Sequence, residues 1–145
     1  MAEPVDEWLL GESRAMWSEL DPPPTTLVNL TCFALETTTP STEVLRSGRQ
    51  EFVGARGDAN TRLVTFDGDL LTVMVNILVL ADDAVWLDEW LIPAASQRIE
   101  LRLASGETLE MTAVAGRFAF DRASRGLAQI LLHVNGTVTT PSIVL

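Results

Sequence analysis

Apolar and polar positions follow two different periods along this chain, and the period changes near residue 60. In residues 6–20, Leu9, Ser13, Met16, Trp17 and Leu20 fall at i, i+4, i+7, i+8 and i+11. That spacing predicts a helix with one apolar stripe, while Glu7, Glu12 and Glu19 face water. Asp21 and the three prolines after it end this helix, because each proline removes a backbone donor. Thr25 or Thr26 then caps a second helix reaching about Glu36. Its apolar residues, among them Leu27, Leu30, Phe33 and Leu35, lie on more than one side. A short helix this apolar has to pack on the first helix, on the rest of the fold or on another protein. Residues 37–60 have little periodicity. Residues 37–42 read as linker, 43–53 suit either a short helix or an edge strand, and 54–60 are rich in turn formers.

From Thr61 onward the period is two. The dominant stretch is residues 70–80, nine of whose eleven residues are apolar. It is too short for a membrane span, which needs ~20 apolar residues. It predicts a strand buried on both faces at the centre of a β-sandwich. Asp67-Gly68 joins it to the strand at 62–66 as a hairpin. Residues 84–92 form the next strand, closed by Pro93. Residues 98–103 alternate cleanly, with Ile99, Leu101 and Leu103 inward. Residues 108–114 follow with Leu109, Met111 and Ala113 inward. A loop of Ser105, Gly106 and Glu107 would set Arg102 opposite Glu110. Residues 116–120 place Phe118 and Phe120 on one face, and residues 127–134 turn through Asn135-Gly136 into 137–145. The expected fold is mainly β: an antiparallel sandwich of seven or eight strands, with an N-terminal helical segment. The boundaries expected are an acidic helical segment at 1–45, a linker at 46–60 and the sandwich at 61–145.

Charge sharpens the division. The net charge is −10, and all ten basic residues are arginine. Residues 1–45 hold eight acids against one arginine; residues 46–145 hold twelve against nine. Such a chain repels phosphate, which argues against direct nucleic-acid binding. The same field favours a basic protein partner, although plain solubility also accounts for it. One cysteine forbids an internal disulfide, which agrees with a reducing compartment. The acidic N-terminus lacks the features of a secretory signal and no membrane segment follows, so the expectation is a cytoplasmic protein.

Catalytic and metal chemistry find little support. Nucleophilic catalysis needs a nucleophile beside a base, and Cys32 and His133 fall in different regions. Cys32 reads as a packing residue and His133 as an ordinary strand histidine. The acidic pairs Asp82-Asp83 and Asp88-Glu89 lack the alternating oxygen ligands of a calcium loop. No phosphate loop, dinucleotide fingerprint or nucleophile elbow is present. Arg56-Gly57-Asp58 is a three-letter match of no weight. The expectation is a non-enzyme with no catalytic residue, no metal and no cofactor.

The tryptophans are more suggestive. Trp8 and Trp17 fall on the first helix. Trp86 and Trp90, four apart on one strand, share a face and lie ~13 Å apart. Strand tryptophans often fill a core; on an exposed face, flanked by Asp88 and Glu89, this pair would anchor a partner. The candidate partner-binding residues are Asp6, Glu7, Trp8, Glu12, Trp17, Glu19, Trp86 and Trp90.

Two stretches carry a resemblance. Residues 17–28 (WSELDPPPTTLV), with Phe33, Ala34 and Leu35, resemble the N-terminal helical segment of small high-GC bacterial proteins. Such proteins are associated with extracytoplasmic-function sigma factors and caspase-like CHAT proteases. Residues 62–66, then 116–121 with Gly126, and the terminal 140–145 are similar to that family's C-terminal part, a carboxypeptidase-regulatory-like (transthyretin-like, Ig-like) β-sandwich. The resemblance implies a cytoplasmic, non-enzymatic regulator that binds a protein partner, either a sigma factor or a companion signalling protein such as a CHAT protease. The alternative is a generic β-sandwich recognition or scaffold module, or a substrate of a caspase-like protease cut within 37–60. No membrane interaction is implied.

Overall fold

The structure is a computed structural model and describes residues 4–52 and 61–145. The chain divides into two units, Met1–Thr31 and Cys32–Leu145. The first holds helix α1 (Pro4–Leu20) and the start of helix α2 (Leu27–Leu35). Asp6 and Glu7 in the first turn of α1 complement its dipole. The prolines after Asp21 stop it once Asp21 N has donated to Trp17 O at 2.9 Å. From Val5 onward every residue of α1 is exposed.

The second unit is mainly β, with two sheets on one hydrophobic core. Its strands are β1 (Thr42–Val44), β2 (Arg46–Phe52), β3 (Thr61–Asp67), β4 (Thr72–Val79), β5 (Val85–Ile92) and β6 (Arg98–Leu103). They continue as β7 (Thr108–Thr112), β8 (Arg117–Ala123), β9 (Leu127–His133), β10 (Thr137–Thr139) and β11 (Ile143–Val144). The five-stranded sheet runs β2-β3-β4-β5-β8. The six-stranded sheet runs β1-β10-β9-β6-β7, with β11 also on β9. This two-sheet arrangement is compatible with the expected sandwich. Val73, Val75, Ile77, Leu87, Ile99, Leu101, Ile130 and Leu132 are buried in the core. Phe118 and Phe120 meet edge to face within it, their ring centroids 6.2 Å apart.

Several expectations change. Residues 42–44 and 46–52 are strands at sheet edges, the edge-strand alternative for 43–53, where the expected boundaries put the end of a helical segment and part of a linker. Leu45 N donates to Thr139 O at 2.9 Å, tying this segment to the six-stranded sheet. The rest of the expected linker, including Arg56-Gly57-Asp58, lies outside the described residues. The sheets are not wholly antiparallel, since β1 runs parallel to β10. The described strands number eleven, partly because Pro141 lies between β10 and β11. β4 is the middle strand of its sheet, but only Val73, Val75 and Ile77 are fully buried; Met74, Asn76 and Leu78 are half-buried on the other face. The β6–β7 register pairs Arg102 with Thr108 and Glu100 with Glu110. Gly106, at φ 97°, closes that turn by donating to Leu103 O, which shifts the predicted pairing by two and keeps both faces. Met111 is exposed in consequence of its edge-strand place. Cys32 is exposed, not packed.

Gly116 marks the turn into β8. Its φ is 78°, and a Cβ there would lie 2.8 Å from Ala94 Cα. Only glycine fits.

Candidate functional site on the outer face of the five-stranded sheet

Strand alternation decides which side chains reach the surface of this sheet. On β5 the inward set is Val85, Leu87, Glu89 and Leu91, all buried. The outward set is therefore Trp86, Asp88, Trp90 and Ile92. Antiparallel pairing brings Met74 opposite Trp90, Asn76 opposite Asp88 and Leu78 opposite Trp86. On one side β3 sets Leu63 beside Asn76, and on the other β8 sets Arg117 beside Trp90. Four strands thus build one surface from Leu63, Met74, Leu78, Trp86 and Trp90, with Asn76, Asp88 and Arg117 set among them.

Its geometry is shallow and apolar. Leu63, Met74, Asn76 and Trp90 line a cavity of about 300 Å³. Trp86 is 40% exposed, whereas a core tryptophan would be fully covered. The Arg117 guanidinium lies over the Trp90 ring, 5.5 Å from its centroid, and Arg117 Nη2 is 3.4 Å from Asp88 Oδ2. Arg117 therefore holds Trp90 and Asp88 in fixed relation through a cation–π and an ionic contact. Asn76 Oδ1 is shielded from solvent with no hydrogen-bond partner among the described residues. Leaving such a buried acceptor orphaned is costly.

The two adjacent acids part company. Asp88 faces out, but Glu89 faces the core between Val75 and Phe118, so it does not flank the tryptophans as the sequence suggests. Glu89 is 0% exposed, and neither carboxylate oxygen has a partner among the described residues. Burial, and secondarily the Asp88 charge, push its carboxyl well above the ordinary glutamate range.

The remaining predicted residues, Asp6, Glu7, Trp8, Glu12, Trp17 and Glu19, all lie on α1 and are exposed there. Nine residues at ~100° each put Trp8 and Trp17 on opposite sides of the helix. α1 therefore does not join them into one patch, whereas β5 does join Trp86 and Trp90. Leu63, Met74, Asn76 and Arg117 are the site residues that sequence reasoning missed. For Met74 and Asn76 the signal was present in the alternation of Thr72, Met74 and Asn76 within the apolar run.

His133 stands on the opposite sheet, its Nε2 3.2 Å from Glu100 Oε1. No hydrogen bond joins it to Cys32 among the described residues. Asp82 and Asp83 pair with Arg122 and Arg125, and no cluster of metal-ligating side chains occurs among the described residues. The Arg122 contact holds the Asp82 carboxyl below its usual value. No described helix is long and apolar enough to cross a membrane.

No protein-family model matches this chain, and neither a curated protein nor a solved structure gives a match.

Proposed function

We propose that this protein is a non-enzymatic recognition module of transthyretin-like sandwich type whose five-stranded sheet binds a basic protein partner. The observation that carries this reading is the cluster of Trp86, Trp90, Met74 and Arg117 on a sheet face open to solvent. Tryptophan, methionine and arginine are the residue types enriched where interfaces bury most of their energy. An exposed apolar patch ringed by polar groups marks interaction surfaces generally. The net charge of −10 selects a partner of opposite sign and speeds its approach. The resemblance noted in the sequence makes a sigma factor, or a companion signalling protein, the first partner to test.

The test is binding of a purified sigma factor, followed by calorimetry, to the wild type and to a Trp86→Ala/Trp90→Ala variant. The reading predicts loss of most of the affinity in the variant, with the fold retained by circular dichroism. Equal affinity in both proteins would remove the sheet face from the account. A second variant neutralising Asp6, Glu7, Glu12 and Glu19 separates the contribution of α1. If α1 takes part, its effect is largest at low salt.

A further inference from the structure

The outward side chains of the five-stranded sheet lie in three rows across the strands, set by the pairing of β3, β4, β5 and β8. The first row is Thr65, Met74, Trp90 and Arg117. The middle row is Leu63, Asn76, Asp88 and Ala119. The third runs through Thr61, Leu78 and Trp86. A bulge in β8 then sets Asp121 and Arg122 together opposite Trp86. Arg122 is taken up by Asp82, whereas Asp121 is exposed with no ion pair among the described residues.

Taken along each strand, this face has the same character in both directions. β3 presents Thr61, Leu63 and Thr65, and β5 presents Trp86, Asp88 and Trp90. β4 presents Met74, Asn76 and Leu78, an apolar side chain on each side of an amide. β8 presents Arg117, Ala119 and Asp121, unlike charges on each side of a small residue. None of these side chains is buried. A surface that repeats itself on reversal, with unlike charges at its two ends, meets the requirement of an isologous interface, in which one patch is complementary to itself.

We propose that two copies of this chain pair face to face through this surface, about a two-fold axis lying along the middle row. Each strand then lies over its own counterpart, running the opposite way, as aligned sheet packing allows. Trp90 meets the second copy's Trp86, Met74 meets its Leu78, and Arg117 meets its Asp121, each contact occurring twice. The cavity between Leu63, Met74, Asn76 and Trp90 faces the second copy's Leu78 and Trp86. Asp88 falls on the axis, where its own Arg117 offsets its charge. Four strands ~4.8 Å apart and five residues of ~3.3 Å each give a footprint of roughly 300 Å² in plane. Even with side-chain relief this stays below the ~800 Å² per partner of a standard interface. The net charge of −10 on each copy opposes association further. The dimer is therefore weak and opens on dilution. The inference rests on the reading of this face as a docking surface and adds a regulation to it: the dimer covers the tryptophans, so a basic partner binds the monomer.

The experiment is sedimentation equilibrium of the full chain over a range of concentrations. It compares the wild type, Arg117→Glu, Asp121→Arg and an equimolar mixture of the two variants. The proposal predicts a reversible monomer–dimer equilibrium in the wild type. Either variant sets like charges against each other at both ends of the interface and weakens the dimer about tenfold or more. In the mixture every such position again faces its opposite charge, so the dimer returns. Both positions are exposed, and circular dichroism verifies that each variant folds. A wild type that stays monomeric at every concentration would overturn the proposal. So would a single variant that dimerises as well as the wild type, or a mixture that stays monomeric. Loss of sigma-factor binding in Trp86→Ala/Trp90→Ala would uphold the recognition reading even then, so the two fail separately.

Discussion

The outer faces of the two sheets solve the same problem in opposite ways. On the six-stranded sheet the outward polar side chains are paired within the chain. Arg98 bridges Glu100 and Glu110, the latter at 3.1 Å, and Arg102 bridges Glu36 and Gln129. The C-terminal turn of α2 caps this network. Phe33 is buried with the Arg102 guanidinium 5.0 Å from its ring centroid, and Gln129 Nε2 donates to Ala34 O at 3.1 Å. On the five-stranded sheet the outward positions carry Trp86, Trp90, Met74 and Leu63, together with the unpartnered Asn76 Oδ1. One face is satisfied by its own chain, while the other keeps aromatic surface exposed. The first face contributes to stability, and the second is the face on which the proposed recognition rests.

Substitutions at four positions test that contrast, in order of expected effect. Trp90→Ala should cost about 2–4 kcal/mol of partner affinity, roughly thirty- to a thousandfold. The stability cost should be much smaller, and titration calorimetry beside a denaturant melt separates the two. Phe33→Ala should do the reverse, lowering stability by about 3 kcal/mol while leaving the affinity of folded protein intact. A loss of affinity equal to that of Trp90→Ala would erase the distinction between the faces.

Glu89→Leu comes next and acts between the faces. Removing a buried carboxyl without partners should raise stability by about 1–3 kcal/mol near neutral pH. The sign of the pH dependence follows from the raised carboxyl. Above the unfolded glutamate value of ~4.3, the unfolded chain has lost its proton while the folded chain keeps it. Stability therefore falls as pH rises from that value, until Glu89 ionises in the folded state. Urea melts across this range should show the slope in the wild type and its loss in Glu89→Gln. Smallest of all is Arg98→Ala. It breaks surface ion pairs and should cost under about 1 kcal/mol, with an effect that salt diminishes.

Much of the fold was legible in the sequence, and the failures have physical causes. The hairpin at Asp67-Gly68, the inward set Ile99, Leu101 and Leu103, and the paired phenylalanines Phe118 and Phe120 follow from local period and turn chemistry. An edge strand within 43–53 was only one of two alternatives, because Thr42–Val44 and Arg46–Phe52 are mostly polar and lie at sheet edges. A strand at an edge buries little, so its period is faint. The β6–β7 register was missed because Gly106 closes a turn whose length the faces alone do not fix. Of the site, the shared face of Trp86 and Trp90 was readable from their spacing. Met74 and Asn76 were not, since reading 70–80 as buried on both sides hid the outward half of β4, and Arg117 was not, since its place beside Trp90 depends on the β5–β8 pairing. Glu89 was misplaced because a lone carboxylate in a core is rare enough that polarity argues for the surface.

The most direct measurement is hydroxyl-radical footprinting of the wild type, with and without the bound partner, read by mass spectrometry at individual side chains. The account predicts that Met74, Trp86 and Trp90 are oxidised in the free protein and protected in the complex, while Met111 at the edge of the other sheet is unchanged. Protection elsewhere, with those three side chains reacting equally in both states, would contradict the claim that the five-stranded sheet is the recognition surface.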